Sequence, residues 1–260
     1  MAVTYSSYLK LDELLALQKP LSDGPEHDEM LFIVIHQVYE LWFKEMLHEI
    51  DYLKGLLERR DAPRAQHTLK RILTILKVAV AQIDILETMT PLEFLSFRER
   101  LESGSGFQSF QFRELEFVLG WKHPGALDRY PVGSDHRARL ERRFQEPALW
   151  DSFLRFLQAS GKAVPPECLA RDVQLPVTPS PALQKVLVEL YRSDPAAASL
   201  CERLVDLDEG IQEWRYRHVK MVQRTIGTKQ GTGGSAGSAY LVTTLNHPIF
   251  PDLWAIRTDL

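Results

Sequence analysis

Apolar residues in this chain return every third or fourth position, and no run alternates long enough to predict a strand. Leu69, Ile72, Leu73, Leu76, Ala79, Val80, Ile83 and Leu86 share one face of a 3.6-residue helix. The pattern stops at Thr90-Pro91, where a new helix is predicted. Thr90 as N-cap, Pro91 at the first helical position and Glu93 two residues later form a capping box with a preset first turn. The Gly-Ser-Gly of 104–106 breaks that helix, and 107–120 predicts a third, closed by Gly120. A further helix is expected between Pro147 and Gly161, then others over 182–193 and from about Pro195 to Ile226. The proline-rich stretch 162–181 reads as a surface excursion, not a boundary. The expectation is an all-α, helical-bundle-like single domain over 1–260.

A chain of 260 residues can bury about three quarters of its unfolded surface around one core. Its formal charge of −4 carries no basic signature, so no nucleic-acid partner is expected. The first eighteen residues lack the apolar core of a signal peptide. The longest purely apolar run, Leu31–Ile35, is far too short to span a bilayer. Cys168 and Cys201 form no CxxC pair, which excludes a cysteine zinc site and a disulfide framework and suits reduced thiols in a cytoplasmic protein.

Two histidines sit on apolar faces. Leu204, Leu207, Ile211, Trp214, His218, Val222 and Thr225 step by three or four, so His218 points inward, while Glu209, Glu213, Arg217, Lys220 and Arg224 lie mostly away. His36 lies in a segment apolar nearly all round, one turn after Phe32 and one turn before Glu40. Such surroundings favour the neutral imidazole. Each could be a core histidine bonded to carbonyls. Without cysteines or an HExxH motif, a zinc protease is not suggested. One imidazole per helix suits haem, where the porphyrin supplies four nitrogens and the protein one axial ligand.

Arg98 falls beside the apolar face of 91–101, with Phe94 and Leu95. It either snorkels over its neighbours or holds a carboxylate in a bidentate pair. The loop after His218 carries glycines at 231, 233, 234 and 237. Its GTGGSA formally matches a dinucleotide fingerprint, but a helix precedes it where a strand is required. A loop that closes over a small ligand is the remaining reading.

Five blocks extend this set: YSSYLKLDELLALQKPLS, HDEMLFIVIHQVYELWFKEMLHE, FRERLESGSGFQS, HVKMVQRTIGTKQGTGGSAGSAYL and FPDLWAIR. In order and spacing they resemble bacterial tryptophan 2,3-dioxygenases over essentially the whole chain. The resemblance implies an all-α haem protein, with one haem b per subunit, assembled as a homotetramer built from two dimers. It implies opening of the indole ring of L-tryptophan by O2 to N-formyl-L-kynurenine, the first step of the kynurenine pathway. It puts His218 at the proximal iron ligand and His36 at the distal position facing the indole. Phe32, Ile33, Val34, Ile35 and Phe94 match the substrate pocket, Arg98 the carboxylate grip, and Thr232 the contact to the substrate's amino-acid end. Ser105 and Gly106 match the edge of the haem. Tyr5 and Tyr8 match tyrosines of an N-terminal segment, 1–20, that reaches a neighbouring subunit's pocket. The related indoleamine 2,3-dioxygenases typically carry serine where this chain has His36.

Three other readings share part of the pattern. A haem sensor would use both histidines without needing Arg98 or Thr232. A purely structural helical protein would satisfy both histidines in its core. An oxygenase for another indole would differ only in pocket size.

Overall fold

The computed structural model describes residues 2–24, 26–102, 104, 106–229, 231 and 238–260, without the side chains of 107 and 240. The described residues are helical, with no strand among them. In chain order the helices are α1 (Tyr5–Leu9), α2 (Leu11–Leu15), α3 (His27–Glu58), α4 (Ala62–Leu86), α5 (Pro91–Arg98), α6 (Phe110–Leu119), α7 (Asp135–Gln145), α8 (Leu149–Ala159), α9 (Pro166–Leu169), α10 (Pro181–Ser193), α11 (Pro195–Ile226), α12 (Ser238–Thr243) and α13 (Pro251–Ala255).

Three long helices make the frame. α3 and α11, 32 residues each, run about 48 Å at 1.5 Å per residue, and both pack along α4. The α3–α4 turn takes few residues because Arg60 adopts a left-handed conformation (φ 59°). The amides of Arg60 and Asp61 then close on the carbonyls of Leu57 and Leu56, and the Asp61 side chain caps α4 by accepting from the Arg64 amide at 3.2 Å. Helices α4 and α11 approach closely at Gly210. A Cβ there would lie 2.7 Å from Leu76 Cδ2, so the missing side chain sets the separation. α6 and α8 close the far side of α3, and one buried apolar cluster runs through α3, α4, α6, α8, α10 and α11.

Several boundaries match the sequence. Thr90 and Glu93 form the capping box with Pro91 at the helix start. α11 spans Pro195–Ile226, capped by Asp194. Gly120 ends α6 at φ 117°, with the Gly120 and Trp121 amides bonded back to Phe117 and Glu116. Others differ. α5 ends at Arg98, well before Gly104, because the chain tightens into a 3-10 turn at Glu99–Leu101. Pro147 precedes the cap of α8, whose N-terminus is closed by Asp151 accepting from the Ala148 amide at 2.7 Å. α6 starts at Phe110, after a 3-10 turn at Gly106–Gln108. Of the 162–181 stretch, Val164 and Pro165 are buried, while 166–181 contains no buried residue and holds the short α9. Arg171 pins it to α8 through two contacts with Asp151, at 2.6 and 2.8 Å.

Helix α7 was not foreseen. Leu140 is its one buried residue, so it has no apolar stripe to read. Charge holds it instead. Arg139 and Arg143 reach the buried Glu114 of α6 at 2.8 and 3.3 Å, and Arg143 pairs with Asp51 at 2.6 Å. The buried Lys122 Nζ donates to the carbonyls of Arg143, Phe144 and Glu146 at its C-terminal end. Burial pushes the Lys122 ammonium down to about 8.

A buried carboxylate fastens the C-terminal segment to α11. Asp208 Oδ2 accepts from the amides of Ile249 and Phe250 and from Trp254 Nε1 at 2.8–2.9 Å, while Oδ1 accepts from Gln212. Asp208→Ala leaves these buried donors unpaired and should cost roughly 3–5 kcal/mol. Urea unfolding measures it as a lower midpoint at unchanged slope. A loss below about 1 kcal/mol would mean that Asp208 does not hold this segment.

Candidate active site

His36 on α3 and His218 on α11 line the same two cavities, with about 870 and 820 Å³ of empty space, mouths included. The cavities share His36, Leu86, Gly106, His218 and Met221, so they adjoin. α4 closes one side with Leu86.

The two imidazoles differ in their bonding. The His36 Nδ1–H donates to the Phe32 carbonyl at 2.7 Å. A neutral ring bonded this way leaves Nε2 as a free acceptor. Burial is the larger influence on His36 and lowers its pKa, so the neutral form dominates. The His218 ring has no hydrogen-bond partner among the described residues. It stacks on Trp214, with centroids 5.0 Å apart and planes at 16°. Burial first, and then the neighbouring His36, push it down to about 4. A core histidine with both nitrogens on carbonyls therefore describes neither residue.

The second cavity has an aromatic wall and one cationic corner. Phe32 lies 4.1 Å from His36 and 5.8 Å from Phe94, centroid to centroid. Phe97 supports both from beneath, fully buried. Arg98, the last residue of α5, lines this cavity with Phe32, Phe94 and His36. So does Gly231, at the start of the glycine loop, while Leu241 and Thr244 beyond that loop line the first cavity. The chain on both sides of the loop thus returns to one site.

The first cavity carries buried charge. The buried Arg113, Glu116 and Arg215 and the half-buried Glu40 lie on its wall beside Trp214 and Phe112. Arg113 Nε and Trp214 Nε1 are buried without a hydrogen-bond partner. Buried donors in native proteins are nearly always paired. Two orphaned donors on one wall therefore call for an acceptor inside the cavity. Among the described residues, no group of three or more His, Cys, Asp or Glu side chains could hold a metal ion. A metal at His218 would need donors from a ligand. The wall thus suits a mainly apolar ligand that offers a metal to an imidazole and an anionic edge to Arg113 and Trp214.

Of the residues singled out in the sequence, Phe32, His36, Phe94, Arg98, Gly106 and His218 meet around this space. Ile33, Val34 and Ile35 line neither cavity, because a helix turns 100° per residue and carries them off the face of Phe32 and His36. Ile35 is in the core, and Val34 is exposed. Tyr5 and Tyr8 are exposed on α1 and also line neither cavity. Thr232 and Ser105 lie outside the described residues. Sequence reasoning missed Arg113, Glu116 and Arg215, and it gave no site role to Glu40 and Trp214, which stand one turn from His36 and His218. The position of Trp214 one turn before His218 was a usable signal. The burial of the charged residues was not legible locally.

A family model described as tryptophan 2,3-dioxygenase matches residues 1–154 and 179–260. A tryptophan 2,3-dioxygenase of Herpetosiphon aurantiacus is 64% identical over 259 residues, 100% of this chain and 99% of the relative. Another, from Anaeromyxobacter sp. strain K, is 58% identical and covers 100% of this chain and 97% of its own. One from Caulobacter vibrioides is 45% identical over 99% of this chain and 98% of its own. The stretch outside the family match, 155–178, includes most of the excursion that Arg171 pins to α8. On this match and these relatives, the chain belongs to the tryptophan 2,3-dioxygenase family and is an enzyme of that kind.

Proposed function

We propose that this chain binds one haem b through His218 and uses it to convert L-tryptophan and O2 into N-formyl-L-kynurenine. The observation that carries this reading is the unequal pair of imidazoles lining one space: His36 with Nδ1 committed, His218 stacked on Trp214 but with no hydrogen-bond partner among the described residues. Haem fits the demands of the site. Its iron would take the His218 nitrogen, its apolar ring the cavity walls, and its carboxylates the orphaned donors of Arg113 and Trp214. When bound, haem supplies the iron chemistry that lets dioxygen react with a closed-shell indole.

The protein's own residues supply placement. Phe32 and Phe94 offer flat apolar surface to an indole. His36 Nε2 can accept a hydrogen bond from the indole N–H, because Nδ1 is already occupied by the Phe32 carbonyl. The Arg98 guanidinium would hold the substrate carboxylate in a bidentate pair. Thr232, in the glycine loop, would take the amino-acid end. Fixing the substrate at both poles lowers the barrier by removing orientational freedom. Ser105 and Gly106 would border the haem edge. Ile33, Val34 and Ile35 would act through the helix that presents their neighbours.

The working unit would be a homotetramer of two dimers, each chain one domain over 1–260. Tyr5, Tyr8, Leu15 and Leu17 are all 60% or more exposed on the N-terminal segment, which supports its docking on another subunit near that subunit's pocket. No described helix is long and apolar enough to cross a membrane. We infer a cytoplasmic enzyme acting in tryptophan breakdown by the kynurenine route.

The direct test is turnover of haem-loaded, reduced protein with L-tryptophan under heavy-isotope dioxygen. N-formylkynurenine carrying two heavy oxygens is expected; unchanged tryptophan beside a normal ferrous haem spectrum would leave a haem sensor instead. His218→Ala should abolish haem retention, read by absorbance after gel filtration; a full haem complement would remove it as the iron ligand. Arg98→Ala should raise KM about 30-fold or more, as expected when a buried carboxylate loses its partner. An unchanged KM would take Arg98 out of the substrate site.

A further inference from the structure

Glu116 on α6 lies between two arginines on the wall of the first cavity. One carboxylate oxygen pairs with Nη1 of Arg113, one turn earlier on the same helix. The other accepts from Nη2 of Arg215 on α11 at 3.1 Å. Glu116, Arg113 and Arg215 are 4%, 7% and 3% exposed, and all three line the cavity. Arg215 sits three residues before His218, with its guanidinium 5.0 Å from the Trp121 ring centroid. The cluster therefore ties the His218 helix to α6.

Stability alone does not explain such a cluster. Burying three charges is costly, and apolar residues of similar volume often do as well or better. Its geometry has a clear result. With Nη1 held by Glu116, Arg113 is oriented, and its Nε remains without a partner. Two guanidinium groups on one wall would also repel each other without a carboxylate between them. Glu40, the other carboxylate on that wall, receives Gln111 Nε2 at 2.8 Å and forms no ion pair among the described residues. It cannot take over the role.

We propose that Glu116 is a positioning residue. It aims Arg113 Nε at a carboxylate of the bound cofactor, and its negative charge lowers the reduction potential of the iron carried there. This rests on the haem reading above, and the experiment separates the two. Wild-type apoprotein is first titrated with haemin. A failure to form a stoichiometric haem complex would sink the haem reading itself.

With wild-type binding secured, haem transfer to excess apomyoglobin and the midpoint potential are measured for E116Q, E116D, R113Q and the R113Q/E116Q double variant. E116Q should release haem about ten-fold faster and move the midpoint to a more positive potential, because a nearby negative charge is lost. E116D keeps the charge and shortens the reach, so it should release haem faster at a near-wild-type potential. The double variant should release haem no faster than R113Q, because Glu116 acts through Arg113. A merely structural role would not split release from potential in this way. Wild-type release and potential in E116Q, or independent multiplication of the two substitutions, would overturn the proposal. If E116Q does not fold, E116D releasing haem at the wild-type rate overturns it.

Discussion

Everything at the site depends on how α11 is pressed against α4. The helices meet at Gly210, where the absence of a Cβ lets Leu76 come close. Farther along, Arg217 reaches Asp84 at 2.5 Å and Glu87 at 3.4 Å, so the pair stays joined toward the C-terminal end of α4. Along the same stripe, Leu204, Leu207, Ile211 and Trp214 are buried in the core. One turn later the stripe reaches His218, Val222 and Thr225, which face open space. The stripe does not change its periodicity. What changes is whether a neighbouring helix fills the volume opposite. Close packing is the norm in protein interiors, so the open space shared by His36 and His218 marks a place that no protein side chain fills.

The polar groups inside obey a second constraint. Most buried charges in the chain are consumed structurally. Asp208 receives three N–H groups through one oxygen, and Glu114 anchors α7. Arg113 and Trp214 differ, because each keeps a buried donor unpaired. Where a protein leaves such groups beside a cavity, the missing acceptor is the best guide to the ligand. The same reasoning separates the two histidines: one has a nitrogen fixed by its own helix, and the other depends on what fills the space.

Much of the frame was legible because it depends on short-range chemistry. The Thr90–Glu93 capping box, the Gly120 terminus and the limits of α11 follow from residues within a turn of each other. Helix α7 escaped notice because its stability comes from ion pairs to Glu114 and Asp51, both distant in sequence. Ile33, Val34 and Ile35 share the segment of Phe32 and His36 but line neither cavity, since resemblance of a block does not resolve the turn of its helix. His36, His218, Phe32, Phe94 and Arg98 were legible as candidates through the family's motifs. Their convergence on adjoining cavities was not.

By itself the sequence determined the helical class, several helix limits and the inward direction of His36 and His218, because caps and periodicity act over a few residues. It also determined family membership, through blocks spread along the chain. Only the tertiary structure decided that α3, α5, α6 and α11 bring these side chains around adjoining spaces. It alone decided that Glu116 bridges Arg113 and Arg215, and that Arg113 and Trp214 are left a donor short. Those properties are set by burial and by contacts across roughly a hundred residues of chain, such as the 99 that separate Glu116 from Arg215. No local pattern encodes what will stand opposite a side chain once the helices have packed.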